Sequence, residues 1–304
     1  MKNAIHFLHN PLKLLVQEQL EFKLIESSPD YSKIIPYPYT DNDAILALEE
    51  AKTKNPKTQD KPRIFLGSIE DNVFSVLTGY YRHFLLSKTK VESLITDPST
   101  SENDILPYLN SGMSVLGNGI LLETSDNYFV IELRSKNIEQ AKGRYHIIAG
   151  GVILPDSLED ITADELNRLP FKSAKYEIQT ETGVKTQDIG PVGYLGTVRD
   201  IPDAMNPSMI FYSKCNLSKK QVIEKFKNAL DQYESKKLLF LPNHKLAIES
   251  TIKDQFCNGI DPNKNSYLLG TSVGALLLYG KIDFGDKWFE NAVSSLKDRY
   301  DIKI

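Results

Sequence analysis

Cysteine is nearly missing from this chain, with two in 304 residues, Cys215 and Cys257. They stand far apart without metal-ligand spacing, which argues against a disulfide framework or a zinc ribbon and fits a reducing compartment. Long apolar runs are missing as well. No segment approaches the ~20 residues needed to cross a bilayer, and Asn10 and Pro11 interrupt the one N-terminal stretch that resembles a signal peptide. The expectation is a soluble, cytoplasmic protein with no membrane partner. A basic excess is also lacking. Lys plus Arg number 36 against 40 Asp plus Glu, a net charge of −4, so general nucleic-acid binding is not expected. No G-x-G-x-x-G opens a helix, and no G-x-x-x-x-G-K-[ST] phosphate loop occurs. The five histidines, His6, His9, His83, His146 and His244, show no metal spacing and read as structural or exposed groups.

What is present is an ordinary globular composition, 41% hydrophobic and 25% charged. The length suits one large core or two modest domains. The polar tract 97–104 is the natural boundary, giving an N-terminal α/β domain over 1–108 and a second domain over 109–304. In the first, strands are expected at 20–25, 63–66 and 73–77, with a helix over 43–53. In the second, strand-like runs at 113–123 and 128–133 are joined by the hairpin-like turn 124–127, and a third strand at 145–149 ends on Gly150-Gly151. Further strands are expected at 189–198, 209–215 and 237–241, and helices at 218–233, 244–255, 267–279 and 286–296. Strands followed by helices in this order suit a mixed sheet with packed helices, an α/β fold of the α+β kind, rather than a doubly wound parallel sheet.

The segment 173–184, S-A-K-Y-E-I-Q-T-E-T-G-V, carries the clearest chemistry. Its spacing predicts a short helix with Glu177 and Glu181 on one face, about 5–6 Å apart at Cβ and able to share one cation. Phe171, Ala174 and Ile178 form the inward stripe. Gly183 suits the left-handed residue that ends a helix, and Pro170 disfavours helix at Leu169 while fitting the first turn. Arg134 and Lys136, two apart after a strand, are expected on one face where they could meet phosphate or solvent. Arg199, just past a strand, allows the same two readings. Gly150 and Gly151 permit close backbone approach or simply make a turn. Tyr80, Tyr81 and Phe84 could stack on a base or pack in a core.

The stretch Tyr176-Glu177-Ile178-Gln179-Thr180-Glu181-Thr182-Gly183-Val184 resembles the second half of the Nudix hydrolase signature, R-E-U-x-E-E-x-G-U, where U is a bulky apolar residue. Glu177, Ile178, Glu181, Gly183 and Val184 match. Tyr176 stands in place of the arginine and Thr180 in place of one glutamate, and the loop after Gly151 is lengthened, with Asp156 and Glu159 nearest to its missing acid. The order of short segments along the chain, among them Tyr81-Arg82-His83-Phe84-Leu85, Arg134-Ser135-Lys136, Gly150-Gly151 and Leu195-Gly196-Thr197-Val198-Arg199, is similar to the animal Nudix branch that hydrolyses UDP-glucose and UDP-galactose. This resemblance implies Mg²⁺, with Mn²⁺ as a substitute, held by Glu177 and Glu181. It implies a small-molecule nucleotide sugar at Arg134, Lys136, Gly150, Gly151, Arg199 and Tyr81, and cleavage to UMP and a sugar 1-phosphate by a monomer or homodimer. Alternatives from the same residues are another diphosphate substrate, such as ADP-ribose, or a nucleotide-binding protein without catalysis.

Overall fold

Apolar residues alternate along the strands and recur at helical spacing in the helices, and the computed structural model follows both patterns. It describes every residue except 1–2, 28–39, 55, 57, 98, 102, 106–114, 137–141, 153–160, 202–205, 255–266 and 299. The expected domain boundary after residue 108, the start of the strand expected from Met113, the loop acids Asp156 and Glu159, and Cys257 lie outside the described residues.

In chain order the elements are β1 (Asn3–His9), β2 (Glu21–Ser27), α1 (Asp41–Lys54), β3 (Pro62–Glu70), β4 (Val73–Tyr80) and α2 (Tyr81–Thr96). There follow β5 (Gly117–Glu123), β6 (Tyr128–Arg134), β7 (Tyr145–Gly151), α3 (Ala163–Thr182), β8 (Gly193–Ile201) and β9 (Pro207–Lys214). The last are α4 (Lys219–Phe226), β10 (Ser235–Pro242), α5 (Lys245–Asp254), α6 (Gly270–Phe284), α7 (Asp286–Leu296) and β11 (Tyr300–Lys303). Eight strands form one mixed sheet in the order β10-β6-β7-β5-β9-β8-β1-β11, and β2-β4-β3 form a second, smaller one. The architecture is a mixed α+β fold. No helix among the described residues is long and apolar enough to cross a membrane.

Successive side chains on a strand face opposite ways, and this sorts the core into layers. On the large sheet, Leu121, Phe129, Ile131 and Ile147 pack on one side with α5, α6 and α7. Ile120, Leu122, Val130 and Ile148 pack on the other with Phe171, Ala174 and Ile178 of α3. The small sheet continues the second layer. Ile64, Leu66, Phe74 and Val76 join the α3 core, while Phe65 and Leu77 face Leu48, Phe84 and Leu85 of the first two helices. Helix α6 is buried on every side from Gly270 to Gly280, as befits a helix apolar all round.

Two expectations are corrected here. Helix α3 starts at Ala163, not beside Ser173, and Pro170 lies inside it. A Thr162/Glu165 capping box sets that start: the Glu165 amide donates to Thr162 Oγ1 at 3.2 Å, and Thr162 N–H donates to Glu165 Oε2 at 3.0 Å. Proline removes one amide donor from a helix interior, a loss offset by burying Phe171, Ala174 and Ile178, roughly 1.5–3 kcal/mol for each of the two large side chains. Second, strands β5 and β6 are linked by the turn at 124–127, yet they share only the pair Glu123 with Phe129, because β7 inserts between them and pairs with both. Strand β1, not among the expected strands, lies apart from the small sheet. It pairs antiparallel with β8 and parallel with β11 in the large one.

Candidate active site

The two box glutamates project from the middle and end of α3. Gly183 closes the helix as expected, with φ of 73° and its N–H donating to Gln179 O at 2.9 Å. Glu181 is buried, 3% exposed. Its Oε2 accepts the Ala149 N–H of β7 at 3.2 Å, and its Oε1 lies 3.8 Å from Arg134 Nη1. Glu177, half-buried one turn earlier, leans on the same strand end. A Cβ added at Gly150 would fall 2.0 Å from Glu177 Oε1. Gly150 is therefore a position where only a hydrogen leaves room for that carboxylate.

Three more acids complete the cluster, none of them singled out by the sequence pattern. Glu132, fully buried on β6, accepts a hydrogen bond from Ser235 Oγ at 2.8 Å, and its Oε1 has no hydrogen-bond partner. Glu234 accepts from Arg134 Nη2 at 3.0 Å. Asp231 is tied to α3 by its N–H, which donates to Thr180 O at 2.9 Å. Arg134 stands among them, 3.8 Å from Glu132 Oε2 as well as from Glu181. The guanidinium enters from β6 and not from the helix. Tyr176, at the family's arginine position, is 51% exposed, and Thr180 is buried with its hydroxyl donating to Glu177 O at 3.4 Å.

Crowding of like charge in a dry site sets the electrostatics. Glu177 is pushed up to about 8, by burial first and then by Glu234, Asp231 and Glu132. Glu181 is raised well above the usual carboxylate range by burial and by Glu132, with Arg134 opposing. Glu132 is raised by burial, again against Arg134. Burial works to lower Arg134, but Glu181, Glu132 and Glu234 more than offset it and hold the guanidinium charged. Arg63, on β3, adds a second positive group that acts on Glu177.

Such an excess of carboxylates over guanidinium suits a hard divalent cation, and Glu132 Oε1 is an acceptor still unpaired inside the cluster. Among the described residues, no three His, Cys, Asp or Glu side chains are arranged to hold a metal ion together. A Mg²⁺-type ion is commonly held by one or two carboxylates, with water and substrate phosphate filling its other positions, and Glu177 and Glu181 are the residues that would hold one here.

The remaining sequence-selected residues scatter around this centre. Gly150 and Gly151 end β7 and pair with Asn118 and Gly117. Leu116, next to Gly117, donates its N–H to Ile64 O at 2.8 Å, which brings β3 of the small sheet up to the glycine pair. Neighbouring Arg63 lies over the Tyr81 ring at 5.2 Å, and Tyr81 packs on Phe84 at 5.3 Å, so part of the Tyr81 surface is already taken. Arg199, buried on β8 with its ionisation lowered to about 10 by burial, pairs in register with His6 and Pro207. It lies three strands from β7 in the sheet order. Lys136 does not share a face with Arg134. The strand ends at Arg134, and Lys136 is exposed in the turn beyond it.

No family model matches this chain. It is 30% identical over 152 residues to Nudix hydrolase 9 of Arabidopsis thaliana, an overlap covering 46% of this chain and 48% of that protein. The chain thus spans about half the length of that curated relative. Among solved structures, a MutT protein from Methanosarcina mazei is 13% identical, covering 60% of this chain and 94% of that one at a TM-score of 0.31. A Nudix hydrolase from M. smegmatis is 11% identical, covering 55% and 85% at a TM-score of 0.30. Over about half its length, then, this chain is similar in sequence to a Nudix hydrolase.

Proposed function

We propose that this protein hydrolyses the diphosphate bond of UDP-sugars such as UDP-glucose and UDP-galactose, yielding UMP and a sugar 1-phosphate. The observation that carries the proposal is the pair Glu177 and Glu181 on one face of α3, set against the Gly150 end of β7 in an acid-rich cluster. Glu177 and Glu181 are the residues that would hold Mg²⁺. That ion supplies charge neutralisation at the diphosphate and acidifies a bound water. The chain's own contribution is placement: Gly151, with open space beside it, admits the phosphates to the strand end, and Lys136, exposed beyond β6, is the candidate cation on the substrate side, whereas Arg199 is buried three strands from β7. Tyr81, with Arg63 against it, is the aromatic offered to the base. Choice of a UDP-sugar over another nucleoside diphosphate derivative rests on the order of the short family-like segments along the sequence.

A panel of UDP-glucose, UDP-galactose, ADP-ribose, NADH and CoA with Mg²⁺, resolving UMP from UDP, tests both substrate and cleaved bond. UMP from the UDP-sugars in clear preference is the expected result. Preference for ADP-ribose removes the substrate assignment and leaves the site assignment standing. A second reading, nucleotide binding without turnover, is favoured by one observation: neither Tyr176, which is exposed, nor Thr180, bonded to its own helix, brings charge to the cluster. Tight UDP binding with no Mg²⁺-stimulated product would establish that reading instead.

A further inference from the structure

We infer that Arg134 is a positioning residue that fixes the Glu181 carboxylate, and not a contact for substrate phosphate. The inference rests on the reading of Glu181 as a metal-holding group.

A buried carboxylate on the last turn of a helix has two oxygens to satisfy, and its rotamer decides where a cation can sit. In Glu181 each oxygen is addressed from a different strand. Oε2 takes the Ala149 N–H of β7, and Oε1 faces Arg134 Nη1 of β6 across 3.8 Å, an ion pair without a hydrogen bond. Both strands lie inside the large sheet, β6 between β10 and β7 and β7 between β6 and β5, so the clamp stands on fixed backbone. Arg134 is itself held. Its Nη2 donates to Glu234, Glu132 shares its strand and face, and the guanidinium is buried, with a side-chain exposure of 11%. Nη2 is committed to Glu234 by a charge-assisted hydrogen bond. Nη1 makes no hydrogen bond but faces Glu132 and Glu181 at 3.8 Å each, so a phosphate approaching it would meet two buried carboxyl groups. A planar fork matched to several oxygens at once is also what arginine provides and lysine does not.

The two roles separate kinetically. A group that binds substrate equally in ground and transition states raises KM when removed, whereas one that organises the metal changes kcat and metal affinity. Arg134→Met and Arg134→Lys are compared with wild type for Mn²⁺ binding by electron paramagnetic resonance and for Mg²⁺-dependent hydrolysis of UDP-glucose. Expected for Arg134→Met is a loss of about 10–100-fold in Mn²⁺ affinity and in kcat, the range for removing a partner of a metal-holding group, with KM for UDP-glucose little changed. Added guanidinium ion should restore part of the lost kcat, and Arg134→Lys should fall between the two. If Arg134→Met does not fold, Glu234→Gln, which loosens the anchor of Arg134, should shift Mn²⁺ affinity in the same direction by a smaller factor. A raised KM with unchanged Mn²⁺ affinity makes Arg134 a substrate contact and overturns the inference, and so does a variant equal to wild type in both. Wild type that neither binds Mn²⁺ nor cleaves any diphosphate overturns the functional reading and this inference with it, a result distinct from either of the others.

Discussion

The carboxylate of Glu177 rests directly against the α-carbon of Gly150, so closely that a Cβ there would lie 2.0 Å from Oε1 and 2.1 Å from the carboxyl carbon. One residue of β7 thereby sets the position of one residue of α3. The contact depends on glycine for its space and not for its backbone angles, since Gly150 sits in an ordinary strand.

Gly150→Ala is therefore expected to push Glu177 out of place or to separate β7 from α3. Overpacking a tight contact costs roughly 1–3 kcal/mol. The thermal midpoint should drop and the hydrolytic rate should fall by more than the stability loss explains. Gly151→Ala is the control for stability alone, because nothing lies within 4 Å of a Cβ at that position. Equal thermal midpoints of the two variants would show that no close contact depends on Gly150.

Glu181→Gln should abolish Mg²⁺-dependent hydrolysis while leaving the fold intact, because the amide keeps an oxygen for the Ala149 N–H. Glu177→Gln should lose activity and, without metal, gain stability at alkaline pH. The sign follows from the upward shift of Glu177 to about 8: its contribution is present below the ordinary carboxylate range and is lost as pH rises through about 8. Thermal midpoints of metal-free wild type and Glu177→Gln should diverge between those limits and converge in acid. Parallel curves across that window would sink the argument. EDTA should silence wild type, with Mg²⁺ restoring it.

Two histidines predict an acid limb. His83 is pushed down to about 4 by burial, with Arg82 adding to it, and His146 to about 3 by burial and then Arg134. Both are neutral in the folded protein at neutral pH, and the unfolded chain binds the protons they refuse. Stability present above about 6.5 is therefore lost as pH falls, at up to about 1.4 kcal/mol per pH unit for each histidine. The loss runs down to about 4 for His83 and about 3 for His146. His83→Gln should flatten the fall of the thermal midpoint below pH 6.5. An unchanged slope would show that His83 is protonated in the fold.

The ends of α3 should respond separately. Thr162→Ala removes the capping box at a cost of about 1 kcal/mol. Gly183→Ala should cost more, since φ is 73° and a Cβ would stand 2.4 Å from Lys225 O. Midpoints from chemical denaturation rank the two, and a milder effect at Gly183 would contradict the observed end of the helix.

The C-terminal half of α3 was legible in the sequence because its signals are local: the stripe Phe171, Ala174 and Ile178, the pair Glu177 and Glu181, and the closing glycine. Its beginning was also encoded, in Thr162 and Glu165, but the rule that proline opens helices pointed later. That rule describes a cost, and a long buried face outweighs it here. The cluster around the glutamates was much less legible. Glu132, Asp231 and Glu234 reach Glu177 and Glu181 only through the pairing of β6 with β7 and β10, which no local pattern specifies. One sequence signal was available for Glu132, a charge inside the apolar run F-V-I-E-L-R, where an acid is rarely buried without a task. Arg134 is visible as a charge at a strand end, but its direction is not written in the spacing, since Lys136 shares its parity and not its strand.

Strand β1 enters the large sheet between β8 and β11. Its partners are residues 197–201 on one side and 300–303 on the other. At roughly 5–20 residues per second of synthesis, the first of these follows β1 by ~10–40 s. Throughout that interval β1 has neither of its ladder neighbours, and an unpaired apolar strand is a template for joining another chain. The strand made earliest in the sheet is thus among the last to find its place, and protection of the nascent chain matters most at Asn3–His9.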